Sequence, residues 1–413
     1  MKRILALDGG GIRGVFTLEV LLRMEELLRE YYRQRDPVLA DKFVLRDHFD
    51  FFAGTSTGAI IATLLCWGAP VSQILDLYVR YGQRIFPPRP RYDPRRYLVA
   101  KFKAVPLSNL LQKLFQEADG RHARLGSKHL LRREHESDDK LLMVVVRNHT
   151  TGSAWPLTNN PKAKYNQRDR PDCNLKMPLW KLVRASTAAP TYYPPEEVDL
   201  ESEPDDIDGP LPSEPTPSRM DATDPSKRGV NGPPSAGAVP ERNKQVFMDG
   251  SITPYANPAA IAALTAVLPG YQMNWTPGPE NIRLVSVGTI AFSSELRVKN
   301  RKLWLGDYAA QIPQAFLQGT ALQQDYLCRS LGQCMFGEPL DSEVGDLLGV
   351  PEVFLRAWFS YVRYNRTYKK KEMDELLSKE PQLAHIDAVK AIPKLREIGK
   401  RYAEENVRLE HLI

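Results

Sequence analysis

A chain of 413 residues exceeds the usual size of one domain, so it forms one large elaborated domain or two smaller ones. With 42% hydrophobic and 26% charged residues it is globular in character, and no run reaches the roughly 18 uninterrupted apolar residues of a membrane span. The formal charge of +6 permits attraction to anionic surfaces without choosing lipid or nucleic acid, and four scattered cysteines supply neither a disulfide framework nor paired C-x-x-C metal knuckles.

Lys2 and Arg3 are followed by too short an apolar run for a secretory signal, so a cytoplasmic protein is expected. Ile4 to Leu7 reads as a buried strand and "DGGGIRG" (8–14) as a turn. In "VFTLEVLLRMEELLREYY", Leu18, Leu21, Leu22 and Leu28 fall on one side and Arg23, Glu26 and Glu30 on another, as a surface helix requires. "FDFFAGTSTGAIIATLLCWG" repeats the plan: an apolar strand, a turn with Gly54 and Gly58, and a helix to about Gly68. Residues 84–103 interleave Arg89, Arg91, Arg95 and Lys101 with Phe86, Tyr92 and Phe102, a composition suited to an anionic membrane interface or to a solvated loop.

Further strands are expected at 141–147, 245–250 and 282–289, and strands separated by helical patterns argue for an α/β layered fold with a largely parallel sheet. Residues 201–244 are rich in Pro, Ser, Gly and Asp and are read as a mobile insertion, with a lid as the lesser alternative. The expected organisation is an α/β unit over 1–300 and a helical region over 301–413 packed on it. "YKKKE" (368–372) reads as a solvated helix start that adds to a basic surface.

Gly9, Gly11 and Gly14 fit the G-x-G-x-x-G spacing of a dinucleotide turn, but the same geometry can present glycine N–H groups to an oxyanion. A dinucleotide site wants an acid about 20 residues further on, at the end of the second strand; here that strand delivers Gly-Thr-Ser instead. Gly54-Thr55-Ser56-Thr57-Gly58 is a G-x-S-x-G match between a strand and a helix, where the turn lifts the Ser56 hydroxyl to the sheet's carboxyl edge; its simpler reading is a helix cap at Thr55 or Ser56. Asp249 ends the strand "QVFM" before Gly250 and, were the sheet parallel there, would lie at the same edge. None of the seven histidines sits at a convincing strand end, and no His/Cys/carboxylate cluster has ligand spacing, so no metal or organic cofactor is expected. No zinc-finger, RNA-recognition or helix-turn-helix signature appears, so nucleic acid is not an expected partner.

"DGGGIRG", "GTSTG" and "MDGS", with "VRASTAAPTYYPP" (183–195) and "LVSVGT", together resemble the patatin-like phospholipase family, and "YVRYN" (361–365) resembles its bacterial members. The resemblance implies a three-layer α/β/α fold with a mixed, largely parallel sheet. It also implies a lipid acyl hydrolase acting on phospholipids or other acyl lipids, in transient contact with a membrane surface. Ser56 would be the nucleophile and Asp249 the proton acceptor; Gly10 and Gly11, with Gly9 nearby, would form the oxyanion hole. Arg13 would hold that loop or meet a phosphate, and Gly14, Gly54, Gly58 and Gly250 would shape the turns. The family usually shows Gly or Ala where Ser251 stands. Some bacterial relatives are switched on by cyclic nucleotides, so such an activator is a further expectation. An α/β-hydrolase with a Ser-Asp-His triad and a non-catalytic anion-binding module are the rival readings.

Overall fold

The computed structural model describes residues 1–86, 100–133, 136–200, 244–292, 305–341, 343–348 and 356–413. The insertion read at 201–244, except for Lys244, and most of the basic aromatic stretch at 84–103 lie outside them.

The strands are β1 (Lys2–Leu7), β2 (Phe51–Thr55), β3 (Leu141–Asn148), β4 (Ser153–Thr158), β5 (Glu196–Asp199), β6 (Lys244–Asp249), β7 (Ile282–Val287), β8 (Ala291–Phe292), β9 (Gln333–Phe336), β10 (Ser360–Tyr364) and β11 (Thr367–Tyr368). The helices are α1 (Gly14–Arg33), α2 (Pro37–Lys42), α3 (Thr57–Trp67), α4 (Val71–Ile85), α5 (Val105–Leu114), α6 (Lys128–Leu131), α7 (Leu179–Ser186), α8 (Ala259–Val267), α9 (Leu305–Leu331), α10 (Lys370–Lys379) and α11 (Ile392–Asn406). A nine-stranded sheet holds all but β8 and β11, which pair with each other.

Strands β3, β2, β1, β7, β10 and β9 run parallel in that order, and all but the edge strand β9 bury both faces over most of their length. Along β1, Leu5 and Leu7 enter the core layer shared with α1, α3 and α11, while Ile4 and Ala6 enter the layer beneath α8. Phe52 against Phe51, and Val285 against Leu284, divide in the same way. Helix α3 is apolar all round because it is buried all round, packed over β2 and β3. The result is the expected three-layer α/β/α arrangement. The region read as helical beyond residue 301 contributes α9, α10 and α11, yet it also supplies β9 and β10 to the main sheet. Those strands are short, and nothing in their local periodicity separates them from the surrounding helical pattern.

One junction in the sheet positions the site. Strand β4 takes one edge of β3, and β2 and β6 share the other: β2 ends with Thr55 opposite Val145, and β6, running the other way, ends with Asp249 opposite Val146. The two strands therefore abut end to end. The expectation that Asp249 reaches the site on a parallel strand is corrected here: β6 is antiparallel, and it arrives because it overlaps only the last three residues of β3.

Candidate active site

Ser56 follows β2 directly and precedes α3, with φ 55° and ψ −122°, a conformation that non-glycine residues rarely hold without surrounding constraint. The tightness of the turn explains its glycines. A β-carbon at Gly54 would overlap the Gly58 carbonyl, and one at Gly58 would overlap the Leu7 carbonyl. Neither Thr55 nor Ser56 caps the helix with its side chain: Thr55 Oγ1 donates to the Tyr255 carbonyl at 2.7 Å, and Ser56 Oγ donates to Asp249 Oδ2 at 2.7 Å.

The other Asp249 oxygen accepts the Ser251 N–H at 2.7 Å, which fixes the carboxylate plane. Asp249 is 2% exposed, and burial pushes its carboxyl up to about 6 against the opposing pull of the Ser251 N–H and the Ser56 hydroxyl. Because the backbone of residue 251 supplies that donor, a serine there keeps it, although its own buried Oγ has no hydrogen-bond partner among the described residues. Its side chain packs over Gly9, where a β-carbon would overlap Ser251 Oγ and stand 3.3 Å from Ser56 Cβ. Gly250 is pressed against the Val145 carbonyl, so β6 can end this close to β3 only with glycine next.

The block 183–195 holds both members of this pair. Ser186 Oγ accepts the Ser56 N–H at 2.9 Å and donates to the Val145 carbonyl at 2.7 Å, while the Ala188 carbonyl accepts the Asp249 N–H at 3.1 Å. Ser186 is fully buried. In the sequence this block carries only a resemblance, and Ser186 has no role assigned to it; a serine at the end of a helix gives no local sign of a partner 130 residues away.

The glycine turn lines the same cavity as Ser56 and Asp249. The Gly9 N–H is engaged by the Ala256 carbonyl at 3.0 Å and the Ile12 N–H by the Ile386 carbonyl at 2.7 Å. Among the described residues the Gly10 and Gly11 N–H groups have no protein acceptor. Gly10 is packed against the Thr289 side chain, whose hydroxyl donates to the Gly9 carbonyl at 3.0 Å, and Gly11 has φ 59°.

Arg13 lines the cavity and is tied to the chain beyond α10. Its guanidinium donates to the carbonyls of Leu383 and Ala384 at 3.0 Å each, and burial pulls it down to about 10. Asp8, just before the turn, is gripped by Arg363 of β10 through bonds of 2.9 and 2.5 Å, and Arg363 also donates to Ser286 Oγ at 2.6 Å. Burial raises the Asp8 carboxyl, and Arg363 opposes that rise. His385 lines the cavity, but the partner of the Ser56 hydroxyl is Asp249 and not a histidine.

The cavity measures about 1750 Å³. Ile60, Ile85, Phe86 and Leu107 contribute apolar lining, and Arg366 and Lys369 to Lys371 contribute basic lining.

The family profile described as patatin-like phospholipase matches residues 5–263. A cGAMP-activated phospholipase of Vibrio cholerae is 29% identical over 209 residues, covering 48% of this chain and 52% of that protein. Patatin-17 of Solanum cardiophyllum is 29% identical over 210 residues (47% and 44%), and a cUMP-AMP-activated phospholipase of Escherichia coli is 36% identical over 115 residues (28% and 29%). The chain thus spans about half, or less, of the length of each of these relatives. With the matched region running from β1 through α8, and holding the glycine turn, Ser56 and Asp249, the chain belongs to the patatin-like phospholipase family.

Proposed function

We propose that this chain is a serine lipid acyl hydrolase that cleaves fatty-acyl esters of phospholipids through an acyl-enzyme on Ser56. The observation that carries the reading is the 2.7 Å bond from Ser56 Oγ to Asp249 Oδ2 in the wall of a large, partly apolar cavity. Asp249 takes the hydroxyl proton as Oγ attacks the ester carbonyl carbon. The tetrahedral oxyanion accepts the N–H groups of Gly10 and Gly11, with Gly9 as the tight spacer between Asp8 and those donors. Collapse breaks the ester C–O bond, and the proton on Asp249 passes to the leaving alkoxide, which departs as a lysolipid. Water then attacks the acyl-enzyme, giving its proton to Asp249, and the second collapse returns the proton to Ser56 as the fatty acid leaves.

A carboxylate is a weak base toward a hydroxyl, and burial strengthens it here. Esters suit this site better than amides, because an alkoxide leaves with less help from a general acid than an amine does. The apolar wall of Ile60, Ile85, Phe86 and Leu107 suits the acyl chain. We assign the activity to the cytoplasmic face of a membrane.

The test is fatty-acid release from phospholipid vesicles and from a soluble p-nitrophenyl ester, with fluorophosphonate labelling. Release and labelling that vanish together in Ser56→Ala support the assignment. Loss in Asp249→Asn with the fold intact supports the dyad; a folded protein that neither labels nor turns over any substrate favours the anion-binding module instead.

The names of two relatives, a cGAMP-activated and a cUMP-AMP-activated phospholipase, favour a regulatory addition: the same chemistry switched on by a cyclic dinucleotide. Titrating such ligands during ester hydrolysis checks it, and rates that none of them alters would remove the activator while leaving the chemistry in place.

A further inference from the structure

Over residues 315–327, helix α9 leaves an uncharged face in solvent. Phe316 is 46% exposed, Leu322 49%, Tyr326 44% and Leu327 38%, and with Ala315, Gly319 and Gln323 they fill an arc of roughly 140° at 100° per residue. Large apolar side chains gathered in this way on a surface mark a contact site, unlike single ones scattered over it. The other side of α9 carries Thr320, Gln324, Asp325, Cys328 and Arg329, all buried.

Two observations indicate what meets this face. Ala315, Phe316, Gly319 and Leu322 line the cavity that holds Ser56, so part of the exposed apolar face is also wall of the proposed catalytic cavity. The same cavity is bordered by Lys369, Lys370 and Lys371, all exposed, at the start of α10. The nearby Glu338 and Glu372 are directed at Arg366, at 3.2 and 3.4 Å. Apolar and aromatic side chains beside consecutive lysines complement acyl chains beneath phosphate headgroups. No described helix is long and apolar enough to cross a membrane.

We propose that the exposed face of α9 and the Lys369–Lys371 cluster form a docking surface for an anionic phospholipid bilayer, seating the cavity mouth on the membrane. Phe316, Leu322, Tyr326 and Leu327 enter the interface, and the lysines meet the headgroups. A lipid can then pass from the bilayer to Ser56 along apolar surface without its acyl chain crossing water. This inference rests on reading Ser56 as an acyl hydrolase.

The experiment uses the full chain carrying Ser56→Ala and measures co-sedimentation with vesicles of phosphatidylcholine, alone or mixed equally with phosphatidylglycerol. Tyr326→Ser with Leu327→Ser, two residues outside the cavity lining, lowers binding at least about tenfold. Lys369→Glu with Lys371→Glu removes the preference for anionic vesicles. In the Ser56 background, the Tyr326/Leu327 variant keeps wild-type turnover of a soluble p-nitrophenyl ester and an unchanged Tm. Unchanged vesicle binding in both variants overturns the proposal, and so does a wild-type dimer that the Tyr326/Leu327 variant converts to monomer, which gives the face to a second copy. Turnover of the soluble ester without vesicle binding overturns the docking surface alone. Vesicle binding lost as described, in a protein that never hydrolyses an ester, supports the surface and overturns the reading of Ser56.

Discussion

Asp249 Oδ2 and Ser56 Oγ lie 2.7 Å apart because β6 and β2 stop at neighbouring positions on β3, coming from opposite directions. Each strand end delivers one side chain into the gap, and the carboxylate is taken out of water as a result.

The first prediction concerns pH. Burial holds Asp249 up to about 6, and only its ionised form can accept the serine proton, so kcat/KM should fall below pH 6 with a slope of one proton and level off above it. The raised value also has a stability consequence. The native state holds this proton more readily than the unfolded chain, so this group's contribution to stability declines as pH rises from about 4 through about 6. Above that range the buried carboxylate costs up to about 3 kcal/mol, at roughly 1.4 kcal/mol for each tenfold gain in proton affinity over the unfolded chain. Asp249→Asn should therefore be inactive yet melt higher than wild type at neutral pH; calorimetry showing a lower Tm would contradict the assigned burial cost.

The second concerns Ser186, whose hydroxyl joins the Ser56 N–H to the Val145 carbonyl. Ser186→Ala leaves both buried groups without that partner, at a cost of about 1–3 kcal/mol. It also frees the strained nucleophile turn. The expected outcome is a kcat reduced about tenfold or more with KM little changed, since the side chain does not line the cavity. Ser186→Thr, which keeps the hydroxyl, should recover part of kcat; steady-state kinetics on a soluble ester decide it.

The third concerns Gly10, a proposed oxyanion donor. Gly10→Ala drives a β-carbon into the side chain of Thr289 and pushes the loop off its position, so kcat should fall about 100-fold. All three nearest clashing atoms belong to that one side chain, so Gly10→Ala with Thr289→Gly should recover more activity than Gly10→Ala alone. A double variant no better than the single one would show that the alanine acts in another way.

The fourth concerns Arg363 and Asp8. Both are nearly fully buried, so Arg363→Met leaves a carboxylate in the interior without its cation and should destabilise the fold by about 3–5 kcal/mol. Asp8→Asn in the same chain should recover much of that loss, a coupling that a double-mutant cycle by urea denaturation measures.

The parts of this site written locally in the chain are legible in the sequence. A glycine two residues either side of Ser56, with a strand before and a helix after, states its turn outright, and Asp249 before Gly250 marks a strand end. The direction of β6 is not legible, because an antiparallel strand and a parallel one share the same alternation of side chains. Ser186, Thr289, Arg363 and Ile386 are also beyond reach. Each acts on a residue more than 100 positions away, and no periodicity encodes a contact of that span. Arg13 shows both sides: its place in "GGGIRG" singles it out, but only the packed chain shows that carbonyls take it up.

That uptake has a consequence in time. A ribosome that has made the glycine turn must add 370 residues after Arg13 before it reaches the Leu383 carbonyl that braces it. The carbonyl of Ile386, which holds the Ile12 N–H, follows close behind. A nascent chain can form β1 and α1 early, but its glycine loop stays unbraced until translation has passed residue 386. The loop to which we assign the oxyanion donors is thereby left unfinished while all the intervening strands and helices are being made.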